Sequence, residues 1–130
     1  MDTQEEHALA KKLGFEPGDS IFVETTPGWY TQFADDTELE LEPGLPATHA
    51  HLFCRAKTDL TSFLHENDLP QIERSLWVSW IKQSSKHHGG LTDTDIRAAL
   101  LPLGWVDVKA ASIDEDWSGL QFVRGKNPKA

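Results

Sequence analysis

Leu91–Arg124, LTDTDIRAALLPLGWVDVKAASIDEDWSGLQFVR, is the stretch on which the fold turns. Thr92 is a good helix N-cap, and Asp95 three residues on completes a capping-box pattern. Leu91 before the cap and Ile96 inside the helix suit a hydrophobic staple, and Ile96, Ala99, Leu100 and Leu103 recur at helical spacing on one face. Pro102 cannot continue that helix, because it has no N–H and its ring crowds the preceding turn. Gly104 then lets the backbone turn. Trp105–Ile113 reads as a strand, Asp114-Glu115-Asp116 as a turn, and Leu120–Val123 as the returning strand. A link that short makes the two strands antiparallel neighbours.

Working back toward the N-terminus, strands and helices alternate. Thr3–Leu13 is a helix, with Thr3 and Glu6 as its capping pattern and Ala8, Leu9 and Leu13 as its apolar stripe. Ser20–Glu24 (SIFVE) is a short buried-type strand. Trp29, Tyr30 and Phe33 suit one or two helical turns after Pro27. ELELE over Glu38–Glu42 alternates strictly, as an edge strand protected by charge does. Ala50–Cys54 is another buried strand, and Thr58–Asn67 is a helix stopped by Leu69-Pro70. Ser75–Ile81 (SLWVSWI) places Leu76, Val78 and Trp80 on one face and Trp77 and Ile81 on the other. Both faces are apolar, so this strand is expected at the centre, under helices on each side. Gly125–Ala130 reads as a frayed tail. The pattern predicts one α/β domain over residues 1–130: a small three-layer, Rossmann-like, mostly parallel sheet ending in an antiparallel hairpin.

Composition narrows the function classes. At 130 residues the chain can bury a core without staples, and it carries one cysteine, Cys54, so no internal disulfide. A net charge of −9 argues against a nucleic-acid partner, since phosphate contacts need clustered Lys and Arg. No apolar run approaches a membrane span, and the acidic N-terminus MDTQEEHALAKK has no signal core, so the expected location is cytoplasmic, with no membrane partner. Five Trp residues point to a Trp-rich core.

Two resemblances add to this. Ala10-Lys11-Lys12-Leu13-Gly14, Pro17-Gly18, Trp77–Lys82, Thr94-Asp95, Val106-Asp107-Val108-Lys109 and Asp114–Arg124 resemble the bacterial family catalogued as domain of unknown function 3052, from about Ala10 to Arg124. The sequence departs from that family by Ile81 in place of a proline and by a longer His-containing loop after it. At the level of fold, the element order is similar to S-adenosylmethionine-dependent methyltransferases. That likeness implies Ser20–Glu24 as the cofactor-binding first strand, with Glu40 or Glu42 placed to meet ribose hydroxyls. It also implies a glycine-rich turn after the first strand, where Glu24-Thr25-Thr26-Pro27-Gly28 has one glycine.

Open α/β sheets bind ligands at the carboxyl ends of their strands. Thr25 and Gly28 stand at one such end. Lys82, Ser84 and Ser85, with Lys86 and the N-terminus of the Thr92 helix, suggest a small-anion site at another. Asp107 and Lys109, two apart, are expected on one strand face as an ion pair, and Trp117 is expected to pack back on the sheet while Gly119 permits a tight or bulged turn. His49 and His51 share a face and can meet one metal, but a third ligand is missing, and Cys54 points away, so no metal is expected. Neither a catalytic set nor a cofactor is expected. Three functions follow: a non-catalytic module binding a small molecule or protein on a cut-down Rossmann-like scaffold, a methyltransferase relative that retains its cofactor, or a homodimer built through exposed Trp29, Tyr30 and Trp117.

Overall fold

A computed structural model describes residues 1–86 and 88–125; His87 and the expected frayed tail over 126–130 lie outside the described residues. Six strands form one sheet: β1 Ser20–Glu24, β2 Glu40–Glu42, β3 Ala47–Cys54, β4 Ile72–Ile81, β5 Trp105–Ser112 and β6 Trp117–Arg124. Their order is β2-β1-β3-β4-β6-β5. β2, β1, β3 and β4 run parallel, and β6 enters antiparallel between β4 and β5. Helices α1 Thr3–Leu13 and α2 Tyr30–Asp36 pack with Ile21, Phe53 and Trp77 on one face. Helices α3 Lys57–Glu66 and α4 Asp93–Leu100 pack with Phe22, Leu76 and Val78 on the other. This is the three-layer, methyltransferase-like α/β fold with a C-terminal antiparallel hairpin. No helix among the described residues is long and apolar enough to cross a membrane.

The local signals explain most boundaries. Thr92 Oγ1 accepts the Asp95 N–H at 3.3 Å while the Asp95 carboxylate accepts the Thr92 N–H at 3.1 Å, and Leu91 and Ile96 are both buried beside them. α1 is capped one residue earlier than expected: Asp2 and Glu5 exchange the two bonds at 2.8 and 2.9 Å. That register turns Glu6, Leu9, Ala10 and Leu13 inward. Pro102 does break the fourth helix, but Leu103 is left 53% exposed in a 3-10 turn over Leu101–Leu103 rather than on the apolar face.

Two expectations about the hairpin are corrected. A bulge between Asp107 and Lys109 brings Asp107 opposite Phe122 and Lys109 opposite Gln121, so the two side chains leave the sheet on opposite faces. Asp107 pairs with Arg97 of α4 at 2.9 Å, whereas Lys109 reaches the Lys12 carbonyl of α1. Gly119 is mid-strand, not in a turn. An added Cβ there would meet Ser79 Oγ at 3.0 Å, Trp77 Cε3 at 3.1 Å and Ile113 Cδ1 at 3.3 Å. The Trp77 indole, fully buried and donating to the Leu13 carbonyl at 2.9 Å, fills the space that a side chain at 119 would need.

Gly119→Ala should therefore destabilise the protein by roughly 1–3 kcal/mol through overpacking against a residue that cannot yield. Urea unfolding of the two proteins measures this, and an unchanged midpoint would show that Trp77 has room to move.

Candidate functional site

The carboxyl edge of the sheet is assembled from three segments. Residues 25–29 follow β1, residues 55–56 follow β3, and residues 82–86 and 88–90 follow β4; the β5–β6 turn lies at the same edge because Trp117 pairs with Ile81. β1 lies between β2 and β3, and the helix after β1 packs on one face while the helix after β3 packs on the other. The crevice of an open α/β sheet opens at such a switch point. Thr25 sits there with φ 47°, a left-handed conformation that a β-branched residue adopts only under strain. Gly28 beside it has no heavy atom within 4 Å of the Cβ position, so a ligand can approach its backbone.

The β4 loop folds back over the end of β3. A Cβ on Gly89 would fall 2.2 Å from the Arg55 carbonyl oxygen, so only glycine lets the strands' ends close this way. Arg55 lays its guanidinium 5.3 Å from the Trp117 ring centre. Trp117 itself is buried and meets Phe53 edge-on at 5.0 Å, packed on the sheet as its sequence context suggested.

Lys82, Ser84 and Ser85 are brought to this edge, but Lys82 and Ser85 bond the hairpin turn. Lys82 Nζ donates to Ser112 Oγ at 2.8 Å and to the Asp114 carbonyl at 2.6 Å, and Ser85 Oγ donates to Asp116 at 3.0 Å. Asp114 knots the turn: its carboxylate accepts the N–H groups of Asp116 and Trp117 at 2.8 and 2.9 Å and the Trp29 indole N–H at 2.9 Å. On the α4 face, Lys82, Thr92 and Asp93 line a cavity of about 480 Å³, where Asp93 and Asp95 already occupy the first turn of α4. On the α1 face, a cavity of about 640 Å³ lies between the start of α1, Trp29 and residues 113–116.

The buried polar residues were only half legible. His49 and His51 do share a face, but each ring is held at both nitrogens. His51 bridges the Tyr30 hydroxyl at 2.8 Å and Ser79 Oγ at 2.8 Å; His49 bridges Ser75 Oγ at 2.6 Å and Asp19 at 3.0 Å. No group of three metal-ligating side chains occurs among the described residues. Burial pushes His51 down to about 3, and burial also lowers His49 despite the neighbouring Asp19 carboxylate. Burial pushes the Cys54 thiol up to about 12, leaving it protonated and inert. Tyr30 and Trp117 are buried as well, so of the three aromatics expected to be exposed for self-association Trp29 alone is half-buried. The partners of the two histidines come from three segments, α2, β4 and the turn before β1, and nothing in the spacing of the sequence announces them.

No family model matches the chain, and no curated protein sequence matches it, so the likeness to the bacterial family of unknown function stands on the quoted residues alone. Solved structures do match. An S-adenosylmethionine-dependent methyltransferase from Aquifex aeolicus superposes with TM-score 0.62 at 10% identity, covering 92% of this chain and 89% of that one. Magnesium protoporphyrin IX methyltransferase from Synechocystis superposes with TM-score 0.59 at 14% identity, covering 95% and 79%. The ribosomal protein L11 methylase from Lactobacillus delbrueckii gives 0.53 at 9%, covering 95% and 78%.

The histidines carry a pH prediction. Both fold as neutral rings with depressed pKa values, so the unfolded chain takes up their protons first, near pH 6.5. Their contribution is complete above that pH and is lost as pH falls toward the folded value, about 3 for His51. For His51 the slope is about 1.4 kcal/mol per pH unit. Urea midpoints from pH 7 to 4 should fall accordingly, and His51→Gln, though less stable, should show a shallower fall. Parallel curves for the two proteins would rule out this linkage. The structural likeness in this site's scaffold extends to the methyltransferase fold.

Proposed function

We propose that the chain is a relative of S-adenosylmethionine-dependent methyltransferases that binds the cofactor at the switch point between β1 and β3. The observation that carries the reading is the position of β1, whose carboxyl end at Thr25–Gly28 opens between helices diverging to opposite faces. The residues present fit the nucleoside half of the cofactor. Glu42 ends β2, the strand beside β1, and on this reading accepts from ribose hydroxyls, and the backbone at Gly28 is open to approach. The same turn is less open than a glycine-rich one, because Pro27 has no N–H to donate and the side chains of Thr25 and Thr26 limit approach to their backbone.

The cofactor supplies an electrophilic methyl group when bound; this chain's own residues bind and orient. The proposal assigns no catalytic residue. Cys54 is buried and protonated, and both nitrogens of His49 and His51 are engaged inside the core, which favours a binding module on a methyltransferase scaffold.

Titration calorimetry with S-adenosylmethionine should show saturable one-to-one heat. At a hundred times Kd the ligand adds about 2.7 kcal/mol of stability, which raises Tm by roughly 8–14 °C for a chain of this size. Glu42→Gln should weaken binding about tenfold, a loss of roughly 1.4 kcal/mol. Absence of both heat and a Tm shift at millimolar cofactor would reject the reading.

A further inference from the structure

The cavity of about 640 Å³ on the α1 face shares no lining residue with the cofactor site proposed above, though Trp29 follows Gly28 directly in the chain. Its size is that of a small-molecule site. One wall is apolar, made by Ala8, Leu9 and Ile113. Another is Trp29, half-buried and fixed in place: its N–H is bound to Asp114 at 2.9 Å, and Tyr30 and Phe33 pack on it with ring centres 5.5 and 5.8 Å away. An indole held this way offers an aromatic surface at little cost in side-chain entropy.

The charge around that wall is lopsided. Glu5, Asp114, Glu115 and Asp116 line the cavity against Lys12 and the Met1 amine. Asp114 accepts two N–H groups of the turn and the Trp29 indole N–H, Lys12 is drawn aside to the Ser112 carbonyl at 3.1 Å, and Lys82 holds the Asp114 carbonyl at 2.6 Å. Four lining carboxylates against Lys12, Lys82 and the N-terminus leave the field negative where a ligand would sit. An aromatic wall beside carboxylates recognises a cation by its charge and by its attraction to the ring face. It repels an anion by the same field.

We propose that this cavity binds an organic cation bearing an aromatic ring, of the aromatic-ammonium class. S-adenosylmethionine is itself a cation bearing an aromatic base, so the two sites are told apart by their variants: Glu42→Gln acts on the switch point and Glu5→Gln/Glu115→Gln on this cavity.

The test follows the tryptophan indole N–H signals by two-dimensional NMR while benzyltrimethylammonium, benzyl alcohol and benzoate are titrated into the full chain. The expected result is a shift centred on Trp29, at least tenfold tighter binding of the cation than of the alcohol, and no saturable shift with benzoate. Glu5→Gln/Glu115→Gln should remove the preference for the cation while leaving the melting curve intact, since glutamine at position 5 preserves the capping box. Equal affinity for cation and alcohol, a preference for benzoate, or shifts confined to the other indoles would each overturn the proposal.

Discussion

β4 has to be buried on both faces while pairing with a parallel neighbour on one side and an antiparallel one on the other. It meets β3 from Ile72 to Trp80 and β6 from Leu76 to Ile81. Trp77 decides how this is done. It fills the α1 side of the sheet, its N–H finds the Leu13 carbonyl, and the strand beside it must present a glycine, Gly119, where the indole lies. Large aromatic volume in one strand is thus matched by missing volume in the next, which is how a close-packed interior accommodates a Trp.

The same face carries an unusual polar load. Tyr30, His51 and Ser79 form one hydrogen-bonded chain, and Asp19, His49 and Ser75 form a second two residues away along β3. No buried side-chain polar atom among the described residues lacks a partner. Satisfied networks of this kind cost less than their burial suggests and fix register, because a shift of β3 against β4 would orphan every member at once. They also consume the residues that looked most reactive, which moves any ligand chemistry outward to the carboxyl edge.

At that edge the hairpin turn is the organising piece. Lys82 and Ser85 come from the β4 loop, Trp29 from the start of α2, and all three are gathered by Asp114 and Asp116. The loop that resembled an anion site is in this way the outer support of a cavity wall. Its lysine donates to a carbonyl and its serine to a carboxylate, and neither partner is visible to a reading of the loop alone.

Periodicity and capping chemistry, which depend on residues three or four apart, determined the element order, the N-cap of α4, the two-faced burial of β4 and hence the α/β class. Those are local forces, and they are written in the sequence in the order in which they act. The tertiary structure alone decided where β6 inserts, that a bulge sends Asp107 and Lys109 to opposite faces, that Gly119 yields space to Trp77, and that His49 and His51 are held at both nitrogens. Each of these depends on which atom from a distant segment arrives within about 3 Å, and hydrogen bonds and steric contacts of that range leave no periodic trace in the chain.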